Sequence, residues 1–209
     1  MLDFNEAVKD KVIAIIGCGG LGGNIAHLFA RLNPKKIIVF DGDEFSLSNL
    51  NRQLCATKNT IGKKKVEVLE ERLLACSNSE IETHPIFFTE KEIPLLESVD
   101  LILDATDNVR SRFVIEKAGK KHKIPVVHGA INGLFGQVAI IYPGDKTFEK
   151  LYPDKQEKEI QKTYSFAPSL IASIQVAEAA KYFAKEQELK PYEVLFIDML
   201  SMEIKKVNI

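Results

Sequence analysis

The sequence has few cysteines, little net charge and no long apolar run, and each absence excludes a class of protein. Its 209 residues include three cysteines, Cys18, Cys55 and Cys76, and no C-x-x-C pair. We therefore expect neither a structural zinc site nor a disulfide framework. The formal net charge of −1 predicts no attraction to nucleic acid or to an anionic membrane. All apolar runs are far shorter than the roughly 20 residues that span a bilayer.

The N-terminal segment MLDFNEAVKD is acidic and polar, unlike a signal peptide. Together with the odd number of cysteines, this favours a cytoplasmic protein. The composition, 45% hydrophobic and 27% charged, is ordinary for a globular protein, and the length predicts a single domain over residues 1–209.

Apolar segments typical of buried strands alternate with helical segments along the first 130 residues. The strand segments are KVIAII, KKIIVF, EIETHPIFF, VDLILDATDN and IPVVHG, and the helical segments are NIAHLFARL, residues 61–76 and RFVIEKAGKKH. The second helix places Val66, Leu69, Leu73 and Leu74 on one face. This alternation predicts an α/β fold with a Rossmann-like, mostly parallel sheet over residues 11–130 and helices on both faces.

The pattern changes after residue 130. LFGQVAIIYP reads as a long strand without a preceding helix, and EVLFIDML and MEIKKVNI read as a closing hairpin. Residues 131–209 are therefore predicted to extend the sheet with antiparallel strands. The crossover loop at 143–165 is too long for a passive connector and is predicted to be a lid or a partner-binding segment. The helix at 166–185 is rich in small residues and is either a contact surface or plain core.

A glycine-rich loop follows the first strand. Gly17-Cys18-Gly19-Gly20-Leu21-Gly22 fits G-x-G-x-x-G between a strand and a helix, where glycines let backbone N–H groups approach phosphate. Asp41 ends the second strand, where an acid can bind ribose hydroxyls. NAD and ATP both contain adenosine, so these features do not distinguish between them.

A second polar cluster favours a triphosphate. Asn49, Arg52 and Gln53 lie in NLNRQ, Lys65 begins the next helix, and Asp107 follows the fourth strand. A triphosphate carries about four negative charges and requires Arg, Lys and a divalent cation held by a carboxylate. The cluster matches that requirement better than it matches a dinucleotide pyrophosphate.

Several neighbouring residues also have a structural interpretation. Residues 63–64 are predicted to be a solvated helix start, and Asp104 is either a strand-end cap or a ligand. Arg112 is predicted to pair with Asp107, and His128 to be packed and hydrogen-bonded.

The motifs GCGGLGG, DGDEFSLSNLNRQ, IGKKKVE, DATDNVRSR and HGAINGLFGQV occur in the order and spacing of the ThiF/MoeB/HesA family. This family is related to the ubiquitin-activating E1 enzymes, and the resemblance covers roughly residues 11–185. It implies an adenylyltransferase that uses Mg-ATP to activate the C-terminal glycine of a ubiquitin-like sulfur carrier ending in Gly-Gly, with release of pyrophosphate. It also implies a homodimer and a pathway such as thiamin or molybdopterin biosynthesis.

The resemblance also implies a role for each matching residue. Arg52, Lys65 and Asp107 would be catalytic, with Asp107 as the magnesium ligand. The implied nucleotide-binding residues are Gly17, Gly19, Gly20, Leu21, Gly22, Asp41, Asp43, Asn49, Arg52, Gln53, Lys65, Asp107 and Asn108.

Three departures from the family pattern affect the expected chemistry. The paired C-x-x-C zinc motif is missing, and residues 143–165 contain no cysteine, so we expect adenylation without structural zinc and without a covalent cysteine intermediate. Residues 1–10 contain Lys9 but no arginine, whereas many relatives place an arginine there that reaches the partner subunit's ATP. Either another cation substitutes for it, or ATP turnover is impaired.

Three other functions remain open from the sequence. An NAD(P)-dependent oxidoreductase would explain the segment from Gly17 to Asp41, but not Arg52, Lys65 and Asp107. A nucleotide-binding scaffold without catalysis would explain the missing arginine and cysteine. A relative acting on a small or RNA carboxylate, such as a modified tRNA base, is mildly disfavoured by the near-neutral charge.

Overall fold

The computed structural model describes residues 3–156 and 161–209, and an eight-stranded sheet crosses that part of the chain. The strand order is β3-β2-β1-β4-β5-β6-β7-β8. The strands are β1 (Val12–Ile16), β2 (Lys36–Phe40), β3 (Glu80–His84), β4 (Leu101–Asp104), β5 (Val126–Asn132), β6 (Phe135–Ile141), β7 (Glu193–Asp198) and β8 (Glu203–Asn208).

The first five strands pair in parallel, and the last three are added antiparallel. This arrangement confirms the predicted α/β sheet with an antiparallel C-terminal extension. The predicted hairpin is β7 paired with β8. Every residue of β1 is buried because the strand lies between β2 and β4 with helices over both faces.

Helices cover both faces of the sheet. They are α1 (Phe4–Val8), α2 (Gly20–Leu32), α3 (Lys65–Leu74), α4 (Val109–His122), α5 (Thr147–Leu151) and α6 (Phe166–Ala184). One apolar cluster joins the sheet to α1, α2, α3 and α6, and a second cluster joins the opposite face to α4 and α5. One face of α6 is core: Ala167, Ala172, Ala179 and Ala180 are buried against the sheet and α2, whereas Ser169, Ser173 and Ala177 on the other face are exposed. In the described ranges no helix has both the length and the apolarity that a membrane span requires.

Two predicted boundaries were wrong. The third strand ends at His84 and does not reach Phe88, because Pro85 has no N–H to donate to the sheet. The helix predicted over 61–76 spans Lys65–Leu74, since the preceding residues hydrogen-bond to the segment at Phe45 instead. Leu74 is exposed, so it does not belong to the predicted apolar face.

The crossover segment contains a short helix, α5, that the sequence analysis did not predict. Residues 157–160, within the predicted lid, lie outside the described residues.

The order of the strands creates a crevice between β1 and β4. The chain leaves β1 toward β2 on one side and leaves β4 toward β5 on the other, so the loops after these two strands diverge. Open α/β sheets bind ligands at such a switch point.

Candidate functional site

A cleft of about 450 Å³ lies at the carboxyl ends of β1, β2 and β4. Eleven of the thirteen predicted nucleotide-binding residues line it: Gly17, Gly19, Gly20, Leu21, Asp41, Asp43, Arg52, Gln53, Lys65, Asp107 and Asn108. The structure thus brings together residues that are up to 91 positions apart in the sequence, from Gly17 to Asn108.

The glycine-rich loop is tied to the end of β2. Cys18 N–H donates a hydrogen bond of 2.6 Å to Asp41 Oδ2, and Asp43 N–H donates one of 2.8 Å to Asp41 Oδ1. Gly17 has a φ of +99°, a conformation that residues with a Cβ rarely adopt. Asp41 therefore ties the glycine-rich loop to the turn after β2, and it also lines the cleft.

Gly22, the last glycine of the motif, serves packing. A Cβ at this position would lie 1.9 Å from Gly17 O and 3.2 Å from Ala105 Cβ. The missing side chain lets α2 approach both the loop and the end of β4. Gly22 is one of the two predicted residues that do not line the cleft.

Lys65 brings a cation into the cleft from the first turn of α3. Its Nζ lies 2.8 Å from Asp43 Oδ2, and its backbone N–H donates to Asp43 O at 3.1 Å. The side chain is only 7% exposed, whereas that of Asp43 is 52% exposed. A buried ammonium at the start of a helix favours an anion beside it, because the helix terminus is itself electropositive.

Arg52 brings a second cation from the NLNRQ segment. Its Nη1 donates to Ser48 O at 3.1 Å and to Asn51 Oδ1 at 2.9 Å. Beside it, Gln53 Oε1 is buried and has no hydrogen-bond donor among residues 3–156 and 161–209. An unsatisfied buried oxygen costs free energy, so a donor from a bound molecule would stabilise this site.

Asn49 shapes the segment that carries Arg52. Its side chain accepts a hydrogen bond of 3.0 Å from Ser46 N–H, and its carbonyl accepts from Arg52 N–H and Gln53 N–H. It is the second predicted residue outside the cleft lining. Its contacts make it a positioning residue for the two side chains that follow it.

The two aspartates after β4 have different environments. Asp107 is exposed and lines the cleft. Asp104 is fully buried and accepts hydrogen bonds from Thr106 N–H at 3.0 Å and Thr106 Oγ1 at 2.7 Å. Of the two roles considered for Asp104, the structure shows the strand-end cap.

The predicted pairing of Arg112 with Asp107 was wrong. Arg112 Nε lies 3.9 Å from Asp104 Oδ2, and Nη2 donates to Thr106 O at 3.2 Å. The direction in which α4 leaves its cap at Asn108 carries Arg112 back toward the end of β4.

His128 is buried and hydrogen-bonded, as predicted. Its Nδ1 lies 2.7 Å from Asp104 Oδ2, and its Nε2 lies 2.9 Å from Tyr152 Oη. Gln137 Nε2 donates to the same Tyr152 oxygen at 2.7 Å. Burial lowers the pKa of His128, although Asp104 opposes this shift, so we assign a neutral ring that donates from Nδ1. Burial acts to raise the pKa of Asp104, but the His128 hydrogen bond and the charge of Arg112 keep it below its ordinary value.

Sequence reasoning missed part of the cleft wall. Phe87 and Phe88 line one side, where they had been assigned to a strand. Lys162 and Thr163 line another side, and Asn51 Nδ2 reaches Thr163 O at 3.3 Å. The only sequence signal for the second pair was the unusual length of the crossover segment.

A second cavity of about 410 Å³ adjoins the cleft. Four residues line both spaces: Asp107, Arg112, Ala130 and Ile131. The far wall is formed by β6, β7 and β8, with Phe135, Phe196 and Lys205. The two cavities therefore meet beside Asp107 and Arg112.

The carboxylates of the cleft suit a metal ion that takes only some of its ligands from the protein. Within residues 3–156 and 161–209, no group of three or more His, Cys, Asp or Glu side chains is placed to hold a metal ion. Mg²⁺ commonly uses one or two carboxylates and takes its other ligands from phosphates and water. The exposed carboxylate of Asp107 lines the same cleft as Lys65 and Arg52, whose charges suit phosphates, and it fits that donor set.

Comparison with known proteins gives consistent similarities. The sequence pattern of the ThiF family matches residues 2–209. The adenylyltransferase and sulfurtransferase MOCS3 of Anopheles gambiae is 36% identical over 149 residues, which is 70% of this chain and 34% of MOCS3. The SAMP-activating enzyme E1 of Haloferax volcanii is 26% identical over 204 residues, which is 93% of this chain and 75% of that enzyme. The chain thus spans about a third of the length of MOCS3.

Solved structures share the fold. The crystal structure of PaaA superposes with a TM-score of 0.81 at 22% identity, over 99% of this chain and 66% of PaaA. The structure of MccB from E. coli with ATP superposes with a TM-score of 0.78 at 18% identity, over 98% of this chain and 65% of MccB.

Proposed function

The chain belongs to the ThiF family, and we propose that it is an ATP-dependent adenylyltransferase. Its substrate would be the C-terminal carboxylate of a small ubiquitin-like sulfur carrier ending in Gly-Gly. The names of MOCS3 and of a sulfur carrier protein adenylyltransferase from Thermus thermophilus, 26% identical over 218 residues, support this reaction class.

The observation that carries the proposal is the cation pair in the cleft. Lys65 is buried there, and Arg52 and Asp107 line the same space. A triphosphate with Mg²⁺ uses all three groups, whereas the pyrophosphate of NAD is held mainly by the glycine-rich loop. The proposal therefore accounts for residues that an oxidoreductase leaves without a role.

The reaction requires charge screening more than proton transfer. The attacking carboxylate is already anionic, so it needs no general base. Arg52 and Lys65 would reduce the repulsion between this carboxylate and the phosphates and would stabilise the departing pyrophosphate. Bound Mg²⁺, held by Asp107, would supply further neutralisation of phosphate charge.

The second cavity offers a route for the carrier. It opens between β6–β8 and the crossover segment and reaches the cleft beside Asp107. Exposed apolar side chains on that face, Phe135 and Phe196, suit a folded protein partner. We propose that the flexible tail of the carrier enters here.

The cation missing from the N-terminus has a candidate replacement. Lys9 forms an ion pair with Glu6 on its own helix. Lys162, from the crossover segment, lines the nucleotide cleft. We propose that Lys162 supplies the third positive charge within the same subunit. A homodimer remains the assembly we propose, from the family resemblance.

The test is ATP–pyrophosphate exchange with candidate carriers. Radiolabelled pyrophosphate should enter ATP only when Mg²⁺ and a carrier ending in Gly-Gly are both present. The control carrier lacks the last two residues and should support no exchange. Binding of NADH in preference to Mg-ATP, measured by calorimetry, would overturn the proposal, as would ATP binding without exchange across the carriers encoded beside this gene.

A further inference from the structure

We propose that Arg112 binds the acceptor carboxylate, and that Tyr152 positions it through a buried relay of His128 and Asp104. The inference rests on the proposed adenylation and identifies the residue that selects the substrate's free carboxylate at the site.

Arg112 stands where the two cavities meet. It lines both the nucleotide cleft and the second cavity. A tail that enters through the second cavity would reach this residue as it arrives at the nucleotide. Ala130, a small residue, lines both cavities at the junction and leaves room for a chain without side chains. The junction therefore fits a terminal glycine and its carboxylate.

The guanidinium group keeps hydrogen-bonding capacity for a ligand. Its Nη2 donates to Thr106 O, its buried Nε has no hydrogen-bond acceptor, and its Nη1 makes no hydrogen bond within the described residues, so Nη1 is the donor left for a ligand. Asp104 lies 3.9 Å from Nε, beyond hydrogen-bonding distance. The Asp104 carboxylate instead accepts short hydrogen bonds from His128 and Thr106. The negative charge of Asp104 thus stabilises the guanidinium group, but the hydrogen-bond donors of Arg112 are not all used.

A carboxylate is the ligand class that this environment favours. A guanidinium presents several donors in one plane and matches the two oxygens of a carboxylate. A neutral amide at the same point would gain less, because its oxygen carries no full charge. The cavity should therefore distinguish a free C-terminus from a blocked one.

Tyr152 controls where the guanidinium lies. Its ring packs against Arg112, with Cζ 4.9 Å from the ring centroid. Its hydroxyl is held by His128 Nε2 and Gln137 Nε2, and His128 continues to Asp104. Tyr152 immediately follows α5 in the crossover segment and lines the second cavity. The relay therefore joins the wall of the second cavity to the residue that meets the carboxylate.

The experiment compares two hexapeptides that both end in Gly-Gly, one with a free carboxylate and one amidated. Each is titrated by calorimetry into the 209-residue chain with Mg²⁺ and the ATP analogue AMPCPP. The wild type should bind the free carboxylate about tenfold more tightly than the amide, as expected for a charge-assisted hydrogen bond. Arg112→Gln should bind both peptides equally.

The preference for the free carboxylate distinguishes a variant in which Arg112 is misplaced from a variant that is unfolded. Tyr152→Phe retains the ring but loses the hydroxyl that contacts His128 and Gln137, and it should reduce the preference while its circular dichroism stays that of the wild type. If Arg112→Gln does not fold, the test uses Arg112→Lys and Tyr152→Phe. The quantity compared is then the ratio of the affinities for the free and the amidated peptide in each variant. Undiminished preference in the Arg112 variant overturns the carboxylate assignment, and undiminished preference in Tyr152→Phe overturns the relay.

AMPCPP binding keeps this test separate from the proposed function. A wild type that does not bind AMPCPP contradicts adenylation itself. A wild type that binds AMPCPP but holds the two peptides equally contradicts only the role of Arg112.

Discussion

The ammonium group of Lys65 lies 2.8 Å from the carboxylate of Asp43, and both residues line the cleft at the carboxyl ends of β1, β2 and β4. The two neighbouring lysines behave differently. Lys64 pairs with Glu44 at 3.1 Å near the surface, and Lys63 is exposed. One lysine in a run of three is therefore buried beside the cleft, and its partner Asp43 is half exposed and able to yield to a bound anion.

Replacing Lys65 should remove most of the activity. Lys65→Ala deletes a buried charge that stabilises the phosphates and the leaving pyrophosphate, so ATP–pyrophosphate exchange should fall by about 100-fold or more. Lys63→Ala is the matched control and should keep wild-type exchange, because its side chain is solvated. Equal exchange in the two variants would remove Lys65 from the site.

Two adjacent glycines in α2 should respond to alanine in opposite ways. Gly22→Ala places a Cβ 1.9 Å from Gly17 O and should lower the free energy of unfolding by about 3 kcal/mol or more. A Cβ at Gly23 meets nothing within 4 Å, so Gly23→Ala should raise it by about 0.5–1 kcal/mol. Urea denaturation measures both values, and a stable Gly22→Ala would contradict the packing role of that glycine.

Adenylation should proceed without cysteine chemistry. Cys18 and Cys55 are buried, and burial raises the pKa of both thiols, so the half-buried Cys76 should be alkylated first by iodoacetamide. Exchange activity should survive this modification, as it should in Cys76→Ser. Mass spectrometry of the reaction with ATP and carrier should detect no thioester on the enzyme. Loss of exchange on alkylation of wild type, but not of Cys76→Ser, would implicate the thiol.

Acid should destabilise the fold through His128. Its pKa is lowered by burial, so below its ordinary value of 6.5 the unfolded chain binds a proton that the folded chain excludes. The free energy of unfolding should therefore be at its full value above pH 6.5 and should decline as the pH falls toward the pKa of His128 in the folded chain. The groups that face the ring are Asp104, Tyr152 and Gln137, with the charge of Arg112 nearby.

The measurement is urea denaturation between pH 7.5 and pH 5. His128→Gln retains a polar side chain but cannot titrate, so its stability should depend less on pH over this range. The same slope in the variant and the wild type would show that other groups cause the acid sensitivity.

Lys162 should contribute to nucleotide binding. Lys162→Ala should weaken Mg-AMPCPP binding about tenfold, since one charged contact to the phosphates is lost. Lys9→Ala is the control, because Lys9 pairs with Glu6 on α1. If Lys9→Ala weakens nucleotide binding and Lys162→Ala does not, the replacement cation is at the N-terminus.

Most of the sheet and much of the cleft could be predicted because their signals are local. Buried parallel strands have continuous apolar runs, as in Val12–Ile16, and the glycine motif lies within six consecutive residues. The cleft residues could be grouped because the carboxyl ends of parallel strands meet at one edge of the sheet. Sequence patterns did not predict the structure of segments whose apolar residues follow neither a helical nor a strand periodicity. Phe87 and Phe88 resembled the end of a strand, and the crossover segment showed only its length.

The sequence by itself determined the α/β alternation and the class of charge in the cleft, because periodicity and side-chain chemistry do not depend on distant contacts. Tertiary structure decided which of the two aspartates at the end of β4 is open to the cleft. Asp104 pairs with Ile16 on one side and His128 on the other, so its carboxylate is enclosed between strands, whereas Asp107 lies three residues beyond the strand and remains open to the cleft. Tertiary structure also brought Arg112 to Asp104 and Tyr152, since those contacts join β4, α4 and the crossover segment, whose proximity no local pattern encodes.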